Sequence, residues 1–247
     1  MKASHYQIRH QYQPTNSTCS QTALAILLSH FRQSYTPQEL EEHVPQLYSP
    51  QGKARGTINQ QLATWCIKQG YEVRMVTADC QVIDQSWSEL PKDELLAQLN
   101  LRKTGWEVPA LGAEWTRDYA NSYIDFIKSG GKLDIVSFIS SDLIYELLES
   151  GPVLPLVCYN TLYGAGRARH DGPALEQEFP DAVNGRAANH SIVVYGNDTD
   201  GNFLIADPLN KPGKHTIEPE RLIASIATAQ IECDNLLFQI KKAPSKA

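Results

Sequence analysis

The chain has little that would carry it into a membrane. Its longest apolar run, "ALAILL" at residues 23–28, is far too short to span a bilayer, and the opening "MKASHYQIRHQYQ" lacks the apolar core of a secretory signal. No membrane role is expected, and the expected location is cytoplasmic. Basic charge is scarce as well: 22 Lys and Arg stand against 28 Asp and Glu, giving a net charge of −6. Dense basic stretches are limited to "GRAR" at 166–169 and the C-terminal "KKAPSK", so nucleic acid is not an expected partner. The five cysteines, Cys19, Cys66, Cys80, Cys158 and Cys233, contain no CxxC pair, which argues against a zinc knuckle or a disulfide framework and for free thiols. Repeats and low-complexity tracts are missing too. What is present, 42% hydrophobic and 20% charged residues over 247 positions, is ordinary globular usage, and a single domain over 1–247 is expected.

Patterning gives an order of elements. Apolar residues from Ala23 to Phe31 fill more than one face, as in a buried helix that begins near Cys19. "TPQELEEHV" carries Thr36 as N-cap, Pro37 at the first helical position and Glu39 to complete a capping box. After the loop "YSPQGKARG", Thr57 is the expected cap of a helix bearing Ile58, Leu62 and Trp65, stopped at Gly70 and followed by the strand "YEVRMVTA". Residues 80–140 read as a helical insertion, with helices at "SELPKDELLAQLN" and "EWTRDYANSYIDFIKSGG". "SSDLIYELLESG" then leads into the apolar strand "PVLPLVCYN".

Residues 161–189 read as a long irregular loop able to cover a site, and Arg167, Arg169 and Arg186 within it would favour an acidic or carboxylate-bearing substrate. Strands follow at "HSIVVYG", "FLIAD", "HTIEP" and "NLLFQIKK", with a short helix at "ERLIASIA". Helices first and an antiparallel sheet second imply an α+β fold, the N-terminal helical part packed on a C-terminal antiparallel sheet.

Chemistry centres on Cys19. A thiol at a helix N-terminus faces unpaired N–H groups and the positive end of the helix dipole, both of which favour thiolate. The partner base is His190, which opens "HSIVVYG". If "NDTDGN" turns a hairpin, Asp207 at the end of the neighbouring strand lies beside His190 and can orient its ring. Gln13 supplies an amide that could join the Cys19 N–H in holding an oxyanion, with Gln11 as competitor; His170 is the rival base. Cys66, Cys80, Cys158 and Cys233 are expected to be core or inert thiols. "DTDGN" is not a calcium loop: with Gly201 in the glycine position, Gly196 falls where the first acidic ligand belongs and Asp207 where Glu is needed.

The order Gln13, Cys19, His190, Asp207 in "HQYQPTNSTCSQTALAILLSHF" and "NHSIVVYGNDTDGNFLIADP" resembles the papain-like cysteine peptidases, most closely the bacteriocin-processing (double-glycine leader) peptidases and their stand-alone relatives. The resemblance covers residues 8–44, "GTINQQLATWCIKQGYEV" and 141–208. It implies a papain-like fold and a peptide or protein substrate, with Cys19 as nucleophile, His190 as base and then acid, Asp207 as orienting residue and Gln13 as oxyanion donor. No metal or organic cofactor is implied. The family usually has Gly after the cysteine, where this chain has Ser20, and residues 80–140 and 161–189 exceed the compact family domain. Two alternatives stay open from the sequence: a transglutaminase-like or peptidyl transferase using the same acyl-enzyme, and a non-catalytic peptide-binding module.

Overall fold

A computed structural model of the 247-residue chain describes residues 3–48, 56–105, 113–171, 177–229 and 235–242. The loop "YSPQGKARG" lies almost wholly outside these residues, and so does Cys233.

A short strand β1 (Ser4–His5) precedes the helix α1 (Cys19–Ser29), in which every residue from Ser20 to Leu28 is buried. A helix buried on all sides must lie at the centre of the molecule, which explains the absence of a polar stripe in its sequence. In α2 (Pro37–His43) the capping box forms: Thr36 Oγ1 accepts from the Glu39 N–H, and the Glu39 carboxylate accepts from the Thr36 N–H at 2.7 Å. α3 (Asn59–Lys68) starts one residue later than expected, with Ile58 as its cap, because Thr57 Oγ1 instead accepts from Gln21 Nε2 on α1 at 2.7 Å. Gly70, at φ +85°, turns the chain into β2 (Tyr71–Thr77).

The stretch after β2 holds α4 (Lys92–Thr104) and α5 (Ala113–Lys128) and then returns to the sheet as β3 (Lys132–Ile135), parallel to β2. α6 (Ser141–Leu148), capped by Ser140 Oγ, leads into β4 (Val153–Cys158), which is buried throughout. α7 (Tyr159–Tyr163) follows at once and ends at Gly164 in the left-handed region. The segment expected to be an irregular loop contains a hairpin, β5 (Ala168–Asp171) with β6 (Gln177–Pro180). Two of its arginines hold that hairpin together: Arg167 donates to the Ala182 carbonyl, and Arg169 pairs with Asp181 at 2.8 Å.

The expected strand "HSIVVYG" is present as β7 (Asn189–Ser191) and β8 (Val193–Asn197). Both run antiparallel to β4 in one register, with His190 opposite Val157 and Val194 opposite Val153. The break at Ile192 faces Pro155, which has no N–H to give the ladder. β9 (Phe203–Ala206), β10 (Lys214–Ile217), α8 (Pro219–Thr228) and β11 (Leu236–Lys242) complete the chain. "NDTDGN" forms the β8–β9 turn, where the Asp198 carboxylate accepts from the N–H groups of Asp200 and Asn202.

The sheet order is β10-β9-β8-β4-β11-β2-β3, with β1 on β8 and β7 on β4. The fold is α+β as expected, although β1 and β2 bring the first half of the chain into the sheet and the β2–β3 pair is parallel. Period-2 alternation divides the core: Leu154, Leu156 and Phe238 face α1 and α3, while Val153, Val157 and Leu237 face α6 and α8. The sheet is therefore covered on both sides, which is why β4 reads as a continuous apolar run. Among the described residues no helix is long and apolar enough to cross a membrane.

Candidate active site

Three elements deliver the candidate residues to one place. Cys19 is the first residue of α1, half-buried, with no acidic side chain in the first helical turn and no side-chain cap from Thr18. The dipole and free N–H groups at that end are therefore left to act on the thiol. His190 comes from β7 and is 4% exposed. Asp207 follows β9 and is fully buried; its Oδ1 accepts from His190 Nε2 at 2.9 Å. That bond occupies Nε2, so Nδ1 is the nitrogen left for the thiol, and His190 and Cys19 act on each other electrostatically.

Electrostatics follow from this geometry. Burial of Cys19 would raise its pKa, but the hydrogen bond and charge of His190, the Ser191 N–H and the Ser20 hydroxyl outweigh it and bring the thiol below its ordinary value. Burial of His190 opposes its charging, yet the carboxylate of Asp207 and the thiolate of Cys19 lift it to about 10. Asp207 is buried too, and its donors pull it far below the usual carboxylate range. Both shifts favour thiolate beside imidazolium over neutral thiol beside neutral imidazole, with a carboxylate behind the ring.

Ser20, which stands where the resembled family has glycine, turns inward rather than into a cleft. Its Oγ lies 2.8 Å from Ser191 Oγ, and both residues are buried. This hydroxyl pair joins the first turn of α1 to β7, tying the element that carries the thiol to the element that carries the imidazole.

Gln13 is placed differently from the other three. Its backbone N–H donates at 2.9 Å to the carbonyl of Pro208, the residue that follows Asp207. Its side-chain Nε2 donates to Thr15 O at 2.8 Å, while Oε1 is buried without a partner. A primary amide has two N–H donors, and one is still available. The competitor Gln11 is engaged in the same way, its amide donating one N–H to the Tyr35 carbonyl at 3.0 Å and keeping a second. His170 lies on β5 opposite Glu178 in the exposed hairpin, and the imidazole that meets Cys19 is that of His190. Cys66 and Cys158 are buried, and burial pushes the Cys66 thiol far up. Cys80 is exposed, so of the two expectations, core or inert, the core one does not hold for it.

Sequence patterning missed the residues around Asp207. Oδ1 also accepts from the N–H groups of Leu209 at 2.6 Å and Asn210 at 3.2 Å, and Oδ2 accepts from Asn210 Nδ2 at 3.1 Å and from the Tyr163 hydroxyl. The His10 Nε2–H donates to the Asp207 carbonyl at 2.7 Å. This approach needs a glycine at 213, where a Cβ would come within 1.9 Å of the same His10 nitrogen. Tyr159 stands edge-on to the His190 ring, 5.8 Å between centroids. "DP" followed by "LN" hints at an Asx-type turn around Asp207, but nothing local marks Tyr163, 44 residues away. Among the described residues no cluster of His, Cys, Asp and Glu could hold a metal ion.

No protein-family model and no curated protein matches the chain. Two solved structures overlay on it. The peptidase domain of Streptococcus ComA, a bi-functional ABC transporter involved in a quorum-sensing pathway, is 14% identical; the overlay covers 97% of this chain and 100% of that one at a TM-score of 0.43. A Bacillus anthracis protein described as C39-like peptidase is 11% identical, with 99% and 100% of the two chains covered and a TM-score of 0.49. Both scores fall below 0.5, so the chemistry assigned to this chain rests on its own side chains.

Proposed function

We propose that the chain is a cysteine peptidase or amidase that cleaves a peptide or amide bond through a thioester on Cys19. The observation that carries this reading is the single line of contacts from the thiol at the head of α1 through the buried His190 to the buried Asp207, with 2.9 Å between Nε2 and Oδ1. A merely structural cysteine has no use for an imidazole oriented by a buried carboxylate.

The Cys19 thiolate attacks the carbonyl carbon, and the carbonyl oxygen takes up negative charge. The Cys19 N–H at the helix start and the remaining N–H of the Gln13 amide are the donors assigned to it. The imidazolium of His190 passes its Nδ1 proton to the leaving amine, and the carbon–nitrogen bond breaks to leave the thioester. Water then enters; His190 takes its proton, the tetrahedral intermediate collapses, and Cys19 leaves as thiolate. Asp207 keeps the ring oriented throughout and stabilises its charge whenever it is protonated.

Turnover should hold between the lowered thiol pKa of Cys19 and the value of about 10 on His190. The test is to incubate the chain with a pool of peptides and map new termini by mass spectrometry. New C-termini should form with the native chain and none with Cys19→Ala; a Cys19→Ala protein that cleaves as well as the native one would overturn the proposal.

A further inference from the structure

We propose that Tyr163 is a positioning residue that aims the Asp207 carboxylate, and through it His190, at Cys19; this rests on the roles assigned to those three residues above. Tyr163 ends α7, the short helix that follows β4 directly, so the strand opposite His190 also fixes where this phenol lies. Its hydroxyl donates to Asp207 Oδ2.

The direction of that bond is set by counting protons. A phenol has one, and an ionised carboxylate only accepts, so the proton lies on the Asp207 side. Burial and the adjacent carboxylate push the Tyr163 hydroxyl far above its ordinary value, which keeps it a donor. His215 Nε2 lies 3.2 Å from the same phenolic oxygen and must therefore be the donor there, in its Nε2–H form. The result is a one-way series, His215 to Tyr163 to Asp207, with Asp207 in turn accepting from His190.

A carboxylate is free to turn about its Cβ–Cγ bond, where torsional wells are broad. Donors on Oδ1 alone leave that turn weakly determined, and donors on Oδ2 fix the plane. Here Oδ2 has Tyr163 and the Asn210 amide, and Tyr159 holds that amide by donating to Asn210 Oδ1 at 3.2 Å. The two tyrosines of α7 thus reach the carboxylate and the imidazole together: Tyr163 directly, Tyr159 through Asn210 and by its edge contact with the His190 ring.

Tyr163→Phe removes the hydroxyl and keeps the ring, whose contacts with Tyr159 at 5.0 Å and His215 at 5.8 Å are apolar in the main. The experiment measures the rate of Cys19 alkylation by iodoacetamide against pH, in the full chain with the exposed Cys80 changed to Ser, for the parent, Tyr163→Phe, Asp207→Ala and the double variant. Circular dichroism confirms that each is folded. Tyr163→Phe should slow alkylation at neutral pH by about three- to tenfold, a fraction of the worth of one hydrogen bond to a charged group, because its effect reaches Cys19 only through Asp207 and His190. It should also narrow the plateau from both sides, because a less firmly held Asp207 supports His190 less and His190 then supports the thiolate less. In Asp207→Ala the same substitution should add nothing, since its only route is gone. A Tyr163→Phe profile that overlays a normal parent profile, or an equal slowing with and without Asp207, would overturn the role of Tyr163 alone. A parent with no thiolate plateau at neutral pH would overturn the Cys19–His190 assignment and the inference with it.

Discussion

Replacing Asp207 with Asn removes one charge and almost no volume, so its effect can be worked through the five donors that surround the carboxylate. Oδ1 accepts from His190, Leu209 N and Asn210 N, and Oδ2 from Tyr163 and Asn210 Nδ2. Each partner donates, so an amide group must turn its own N–H groups toward one of the two sets. Two backbone donors favour keeping oxygen on the His190 side, which leaves the amide nitrogen against Tyr163 and Asn210. The imidazole then keeps a hydrogen bond but loses its counter-charge. Burial, which opposes charging of His190, is no longer outweighed, and His190 falls from about 10.

The thiolate loses its own support in turn and the pair reverts toward neutral thiol and imidazole. A hydrogen bond to a charged group is worth about 2 to 3 kcal/mol, so alkylation of Cys19 and turnover at neutral pH should fall roughly 30- to 150-fold. The fall should be smaller than for Cys19→Ala or His190→Ala, because nucleophile and base are still present. The assay is the second-order rate of iodoacetamide with Cys19 alongside peptide turnover. An Asp207→Asn protein that is folded and as reactive as the native chain would show that the carboxylate does not maintain the pair.

Two further outcomes are expected elsewhere in the chain. Ser20→Ala should leave the buried Ser191 hydroxyl without its partner 2.8 Å away, lowering stability in urea titration. The expected loss is about 1 to 2 kcal/mol, and Cys19 should alkylate more slowly because Ser20 also lowers its pKa; a neutral result on both counts would contradict the coupling of α1 to β7. Asp79 is fully buried, with Oδ2 unpartnered, and burial raises it from 3.8 to about 6. A raised carboxylate pKa costs stability above the folded value and nothing below the unfolded one, so Asp79→Asn should stabilise by about 1 to 2 kcal/mol at pH 8 and lose that gain by pH 4. Thermal melts at the two pH values check this, and a gain that persists in acid would show that charge is not the cause.

The parts of the fold that could be read from the sequence are those with local causes. The Thr36–Glu39 box and the stop at Gly70 are fixed by residues within a few positions of one another. The nearness of His190 to Asp207 was legible for a related reason: the turn "NDTDGN" brings β9 back along β8, although a register shift between Val194 and Gly196, which the turn does not announce, also sets where they meet. Where distant groups compete, local reading fails. Thr57 is a good cap by type but is drawn away by Gln21, a neighbour only in space. The four residues of β3 have no pattern of their own and become a strand because β2 offers an edge. Cys80 and the β5–β6 hairpin went unrecognised because exposure and pairing depend on what the surrounding chain covers. Tyr163 is the clearest case, since its bond to Asp207 comes from a residue 44 positions away that follows another element.

The central claim is that Cys19 is a thiolate at neutral pH because His190 and Asp207 hold it so. Labelling the full chain at mildly acidic pH with limiting iodoacetamide, and locating the label by peptide mass spectrometry, tests this without knowledge of the substrate. The account predicts that the label lies on Cys19, ahead of the exposed Cys80, and that His190→Ala abolishes this preference. Label on Cys80 with Cys19 unmodified, or a Cys19 preference that survives His190→Ala, would contradict it.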